Sequence, residues 1–204
     1  MNKNSIKTVS LKKIELLIPS EPQIICLCGQ MAAGKNYAAK QLCKTGDCVS
    51  IDLDLTVHTA IKNATPQILK EFSSLAQKSG LNLQNSDGSL NRRALGALVF
   101  SSPELLKKQE QIVYPETIRL TKEFIQQNKA KTVLLNATVL YKTPELLSLC
   151  SKIYFVKAFF LKRLLRAKKR DSLPLLQILK RFKSQNSLLK EYKKSGIPLI
   201  FIKN

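Results

Sequence analysis

Residues 23–36 read Gln-Ile-Ile-Cys-Leu-Cys-Gly-Gln-Met-Ala-Ala-Gly-Lys-Asn, an apolar run that stops at Gly29 and passes into a loop ending on Gly34 and Lys35. A short continuous apolar run closed by glycine is the pattern of a strand buried on both faces of a parallel sheet. Gly29–Asn36 fits the phosphate-loop spacing G-x-x-x-x-G-K, with Asn36 where Ser or Thr is usual. Asn36–Lys44 can form a helix, which gives the strand, loop and helix order the motif requires. In such a loop successive backbone N–H groups and the positive helix end surround phosphate oxygens, while Lys35 reaches the outer phosphates. Asn36 offers an amide oxygen, still a hard neutral metal ligand.

Working outward, Val49–Asp52, Thr132–Asn136, Lys152–Val156 and Pro198–Ile202 are further β-rich runs. The segments between them are long enough for helices, so the chain reads as an α/β protein with a five-stranded parallel sheet. About 80 residues separate Asp52 from Thr132, far more than the roughly dozen a crossover needs. Within them, Thr65–Lys78 predicts a helix with a threonine cap and a proline just inside its start. Asn91–Phe100 and Pro103–Asn128 predict two more, the second opened by Ser102-Pro103-Glu104, so the insertion is expected to be helical.

Asp52 and Asp54 stand at the end of the second run, where ligands collect in open α/β sheets. Carboxylates at that spacing beside a phosphate loop suit the ordering of magnesium-bound water and the acceptance of a proton from an attacking hydroxyl. His58, the one histidine, follows Asp54 by four residues. The chain has 204 residues, 44% apolar and 24% charged, which suits one globular domain or a core with a small insertion. Its 34 basic and 14 acidic residues give a net charge of +20, which calls for a polyanionic partner or a compositional bias. Ten Lys or Arg and a single acid, Asp171, lie between Lys157 and Lys183, with Arg163, Arg166 and Arg170 along one helical stripe. No run is long enough to span a bilayer and no secretory signal is evident, so a cytoplasmic location is expected. The five cysteines form no C-x-x-C pair, and Cys26 and Cys28 in the first run read as small core residues.

The ordered motifs resemble the dephospho-CoA kinase family. The resemblance rests on the loop, Asp52-Leu53-Asp54, Gly88–Leu95 (GSLNRRAL), Val99-Phe100, Pro103, Tyr114-Pro115, Arg166–Asp171 (RAKKRD) and Arg181–Gln185 (RFKSQ). It implies a three-layer core over 22–62, 129–161 and 185–204, a helical CoA-binding insertion over 63–128, and a basic lid over 162–184, with 1–21 as an N-terminal extension. It further implies phosphorylation of the ribose 3′-hydroxyl of dephospho-CoA by ATP with magnesium. Asp54 would be the base, with Lys35, Asp52 and Arg170 completing the catalytic set. ATP would lie on Gly29, Gln30, Met31, Ala32, Ala33, Gly34, Lys35, Asn36, Tyr37 and Arg166, with magnesium at Asn36 and Asp52. The acceptor would meet Asp54, Arg92 and His58. The chain departs from the family at Gln30 and Ala32 (glycines), Asn36 (Ser or Thr), Tyr114 (His) and Asn136–Tyr141, where P-L-L-x-E is usual. A kinase for another nucleoside or nucleotide is the alternative, as is a catalytically impaired basic relative that binds nucleotide or nucleic acid. Against nucleic acid, no aromatic platform alternates with the basic residues. The oligomeric state is left open.

Overall fold

The computed structural model describes residues 7–204; the first six residues of the expected extension lie outside that range. Among the described residues a six-stranded sheet forms in the order β1-β6-β5-β2-β4-β3, every neighbouring pair parallel. The strands are β1 (Thr8–Ser10), β2 (Ile24–Gly29), β3 (Cys48–Asp52), β4 (Thr132–Asn136), β5 (Lys152–Lys157) and β6 (Leu199–Lys203). The expected count of five is therefore corrected to six. The extra strand, β1, extends the sheet at β6 and is only three residues long with one half-buried side chain, Val9, too short to show a hydrophobic period.

The helices are α1 (Lys35–Leu42), α2 (Leu53–Asn63), α3 (Thr65–Lys78), α4 (Arg92–Val99), α5 (Pro103–Gln127), α6 (Pro144–Ser148), α7 (Phe160–Asp171), α8 (Leu175–Lys183) and α9 (Leu188–Lys194). The three expected helices of the insertion are present. Ser102 caps α5 through a bond from the Glu104 amide, 3.2 Å, as its sequence suggests. Thr65 is not the cap of α3: Ala64 holds that position, and the Thr65 hydroxyl donates to the Ile61 carbonyl. The reason is that α2 ends two residues earlier, leaving Thr65 already within helical backbone.

The chain divides into two compact units, one made of the chain up to Asp54 and from Phe124 onward, the other of Leu55–Glu123. In the first, successive strand residues point to opposite sides of the sheet. Ile25, Leu27, Leu134, Tyr154 and Val156 pack with Ala38, Ala39 and Leu42 of α1 and with Ile14 and Leu17 of a 3-10 segment after β1. The Tyr154 hydroxyl donates to the Leu17 carbonyl from inside this layer. On the opposite side Phe155 meets Tyr192 and Phe201 edge-on at 6.3 and 6.0 Å. Cys26 and Cys28 are fully buried, in line with their reading as core. The second unit closes around Ile68, Phe72, Ala76, Leu95, Leu98 and Val113. No helix among the described residues is long and apolar enough to cross a membrane.

Candidate active site

The phosphate loop lies between β2 and α1, and its backbone explains which residues it tolerates. Gly29 approaches β5 so closely that a Cβ would sit 2.6 Å from the Val156 carbonyl oxygen. Gly34 caps α1 in the left-handed region at φ 96°, where an L side chain is strained. Ala32 also has positive φ, 59°, without the glycine's freedom.

Several side chains hold the loop in shape from outside. Gln185, just past α8, accepts from the Met31 amide at 2.6 Å. Arg163, from the first turn of α7, donates through Nε to the Met31 carbonyl at 3.0 Å and through Nη1 to Gln30 Oε1 at 2.8 Å. Its guanidinium lies 4.2 Å from the Phe182 ring centre. Asn204 donates to the Ala33 carbonyl at 2.8 Å, and Arg166 contacts the same oxygen at 3.5 Å and Asn204 Oδ1 at 3.3 Å. Met31 itself packs with Ala167, Ile178 and Phe182. The loop is thereby fixed to both helices of the basic segment.

At the helix end of the loop Lys35 donates to Thr138 Oγ1 at 2.9 Å. Burial pushes its pKa below the ordinary lysine value, while the carboxylates of Asp54 and Asp52 and the Cys28 thiol act in the opposite direction. Asn36 bridges two strands: its Nδ2 donates to Asp52 Oδ2 at 3.2 Å, and its Oδ1 accepts from Asn136 Nδ2 at 2.8 Å. Asp52 Oδ1 accepts from the Asp54 amide at 3.0 Å, which turns the chain from β3 into α2. Asn136 Oδ1 is buried and has no hydrogen-bond partner among the described residues. Arg170 pairs with Asp171, Nε to Oδ1 at 2.6 Å, and also feels the charge of Asp54. Tyr37 is exposed.

The structure thus brings Lys35, Asn36, Asp52 and Asp54 to one end of the parallel sheet, with Arg166 against the loop. His58 and Arg92 belong to the second unit, where they line one cavity of about 1000 Å³ together with Lys62, Asn63, Asn85 and Asn91. Sequence reasoning missed the contributions of Asn136, Thr138, Arg163 and Asn204. The available signal lay in the departures themselves: Gln30, where the family has glycine, supplies the acceptor for Arg163. Asn136 and Thr138, in the segment that lacks P-L-L-x-E, contact Asn36 and Lys35.

A parallel sheet with this loop at the end of an inner strand and paired carboxylates at the next strand end defines a phosphate-loop nucleotide-binding enzyme. The family model for dephospho-CoA kinase matches residues 23–200. A dephospho-CoA kinase of Treponema denticola is 37% identical over 91% of this chain and 84% of its own length. One of Treponema pallidum is 35% identical over 79% and 77%. A crystal structure from Thermus thermophilus superposes with a TM-score of 0.74 at 27% identity, covering 91% of this chain and 90% of that one. The chain belongs to the dephospho-CoA kinase family.

Proposed function

We propose that the protein transfers the γ-phosphoryl group of ATP to the ribose 3′-hydroxyl of dephospho-CoA, giving CoA and ADP. The observation that carries this reading is the gathering of Lys35, Asn36, Asp52 and Asp54 at the mouth of the phosphate loop, in a chain of this family. Phosphoryl transfer asks a protein mainly for in-line positioning and for neutralisation of the equatorial oxygens. Loop amides seat the phosphates, apart from those of Met31 and Ala33, which donate to Gln185 and to the Gln30 carbonyl, and Lys35 neutralises the outer oxygens. Asp54 accepts the proton of the 3′-hydroxyl as its oxygen bonds to the γ-phosphorus, and the bond to the bridging oxygen of ADP breaks. The Asp54 carboxylate lies within the electrostatic reach of both Lys35 and Arg170.

Asn36 and Asp52 would hold magnesium. Each carries a hard oxygen donor, that of Asn36 becoming available on rotation of its amide, which here turns Nδ2 toward Asp52 and Oδ1 toward Asn136, and the buried Asn136 Oδ1 beside it marks a polar pocket rather than an apolar one. When bound, the ion neutralises charge on the phosphoryl oxygens. The 162–184 segment acts as a lid, with Arg166 and Arg170 facing the triphosphate and excluding water that would hydrolyse ATP. The insertion over 63–128 receives the acceptor, whose anionic groups meet Arg92 in the cavity of the second unit, with His58 of the preceding α2 on the same cavity wall. A cytoplasmic location is the reading that goes with this substrate pair.

The test is product analysis by mass spectrometry with magnesium and ATP against a panel of dephospho-CoA and nucleoside monophosphates. CoA should be the main product. Lys35→Ala and Asp54→Asn should each lose activity by at least about a hundredfold, the scale of a lost acid-base or charge-stabilising group. Full turnover in both variants would overturn the mechanism, and exclusive phosphorylation of another acceptor would overturn the substrate.

A further inference from the structure

Cys43 and Cys48 flank the turn that joins α1 to β3, and their sulfur atoms lie 3.1 Å apart, about 1 Å beyond a disulfide bond length. Gly46 between them adopts φ 91°, the left-handed conformation that folds the short segment back so that the two side chains meet. Cys43 is half-buried and Cys48 is buried, as are Cys26, Cys28 and Cys150. Access from solvent therefore exists at one thiol, and that thiol has a second sulfur in contact behind it.

We propose that Cys43 and Cys48 form a dithiol that a hydroperoxide oxidises to an intramolecular disulfide, a modification site separate from the phosphate loop and independent of the kinase reading. The contact between the two sulfurs holds the Cys43 thiol below its ordinary pKa, whereas Cys48 is pushed up by the same contact and by burial. Thiolate is the reactive form, so Cys43 attacks first. Its sulfur bonds to the terminal oxygen of the hydroperoxide, the O–O bond breaks, and an alcohol leaves, or water in the case of hydrogen peroxide, with Cys43 as the sulfenic acid. The Cys48 sulfur then bonds to the Cys43 sulfur, the S–O bond breaks, and the hydroxyl leaves as water with the Cys48 proton. Two electrons pass from the thiol pair to the peroxide. The new bond ties the end of α1 to the start of β3, the two elements whose opposite ends carry Asn36 and Asp52.

The experiment treats the full-length reduced protein with a small excess of hydrogen peroxide and reads intact mass and peptide maps. The expected result is a loss of about 2 Da, a Cys43–Cys48 linked peptide, no covalent dimer, and full reversal by dithiothreitol. Cys48→Ser should accumulate a Cys43 sulfenic acid trapped by dimedone, whereas Cys43→Ser should leave Cys48 unmodified; Cys150→Ser should behave as the parent. Addition of oxygen to Cys43 with the Cys48 thiol intact in the parent protein would overturn the proposal. So would a dimer linked through Cys43, or equal oxidation of Cys48 in the Cys43→Ser protein.

Discussion

Replacing Arg163 by Met tests whether the lid helix shapes the phosphate loop. The residue is 6% exposed, and its guanidinium makes two bonds to the loop and one ring contact while Nη2 stays buried without a partner among the described residues. Hydrogen bonds to a charged group contribute about 1.5–3 kcal/mol each, and the ring contact about 1 kcal/mol more. Against this, burial disfavours the charge, as the lowered pKa of Arg163 records, and a buried charge costs several kcal/mol. Methionine keeps the stem's packing and removes that penalty, so global stability should move by no more than about 1 kcal/mol. The loop is affected differently. It loses the two bonds that Arg163 makes to Gln30 and Met31, and the fraction of molecules with a formed cradle falls. If about 1–2 kcal/mol of ordering is lost, apparent ATP affinity weakens by about 5- to 30-fold. Calorimetric titration of ATP beside urea unfolding reads both quantities. A Gln30→Ala cycle should show a coupling of at least about 0.5 kcal/mol. Unchanged ATP affinity with unchanged stability, or additive effects in the cycle, would refute the reasoning.

Two further outcomes follow from the loop. Ala32→Gly removes a left-handed alanine worth about 1–2 kcal/mol of strain and adds about 0.4–1 kcal/mol of unfolded-state entropy, so stability should rise by about 0.5 kcal/mol in urea titration; a fall would contradict the strained backbone. Lys35, whose pKa is lowered chiefly by burial, should give opposite signs in two measurements as pH rises toward about 10.4, the ordinary lysine value. The folded protein loses the Lys35 proton before the unfolded chain does, so apo stability relative to Lys35→Ala rises through that window. ATP affinity falls through the same window because the ammonium is the form that meets phosphate. Parallel pH profiles in the parent and Lys35→Ala proteins would refute this.

The parts legible in the sequence were those governed by local pattern. The apolar run before Gly29, the register of Lys35 and the carboxylates after Ile51 each express a short-range rule, and α3 covers the residues its sequence predicts, Thr65–Lys78. The remainder depends on contacts between distant residues. Lys35 and Thr138 are 103 residues apart, and Asn36 and Asn136 are 100 apart. No local period announces such pairs. The basic stripe misled in a particular way: spacing correctly aligned Arg163 with Arg166 and Arg170, but a helix stripe does not reveal which member turns inward. Arg163 does so because Phe182 and the Met31 carbonyl offer it a ring face and an acceptor.

The pairing of β1 with β6 bears on how the chain reaches its native state. Thr8 lies beside Phe201, so this edge of the sheet joins residues far apart in the sequence. Closing so long a loop adds little to the equilibrium cost, because that cost grows only with the logarithm of length. In time it is expensive, since contacts of such separation form late. On a ribosome the segment around Thr8 emerges well before its partner strand β6 and must wait for it, while Ile14 and Leu17 carry apolar surface with no finished layer to receive them. The sheet edge that completes the fold is therefore also the stage at which a nascent chain is most exposed to chaperones and to self-association.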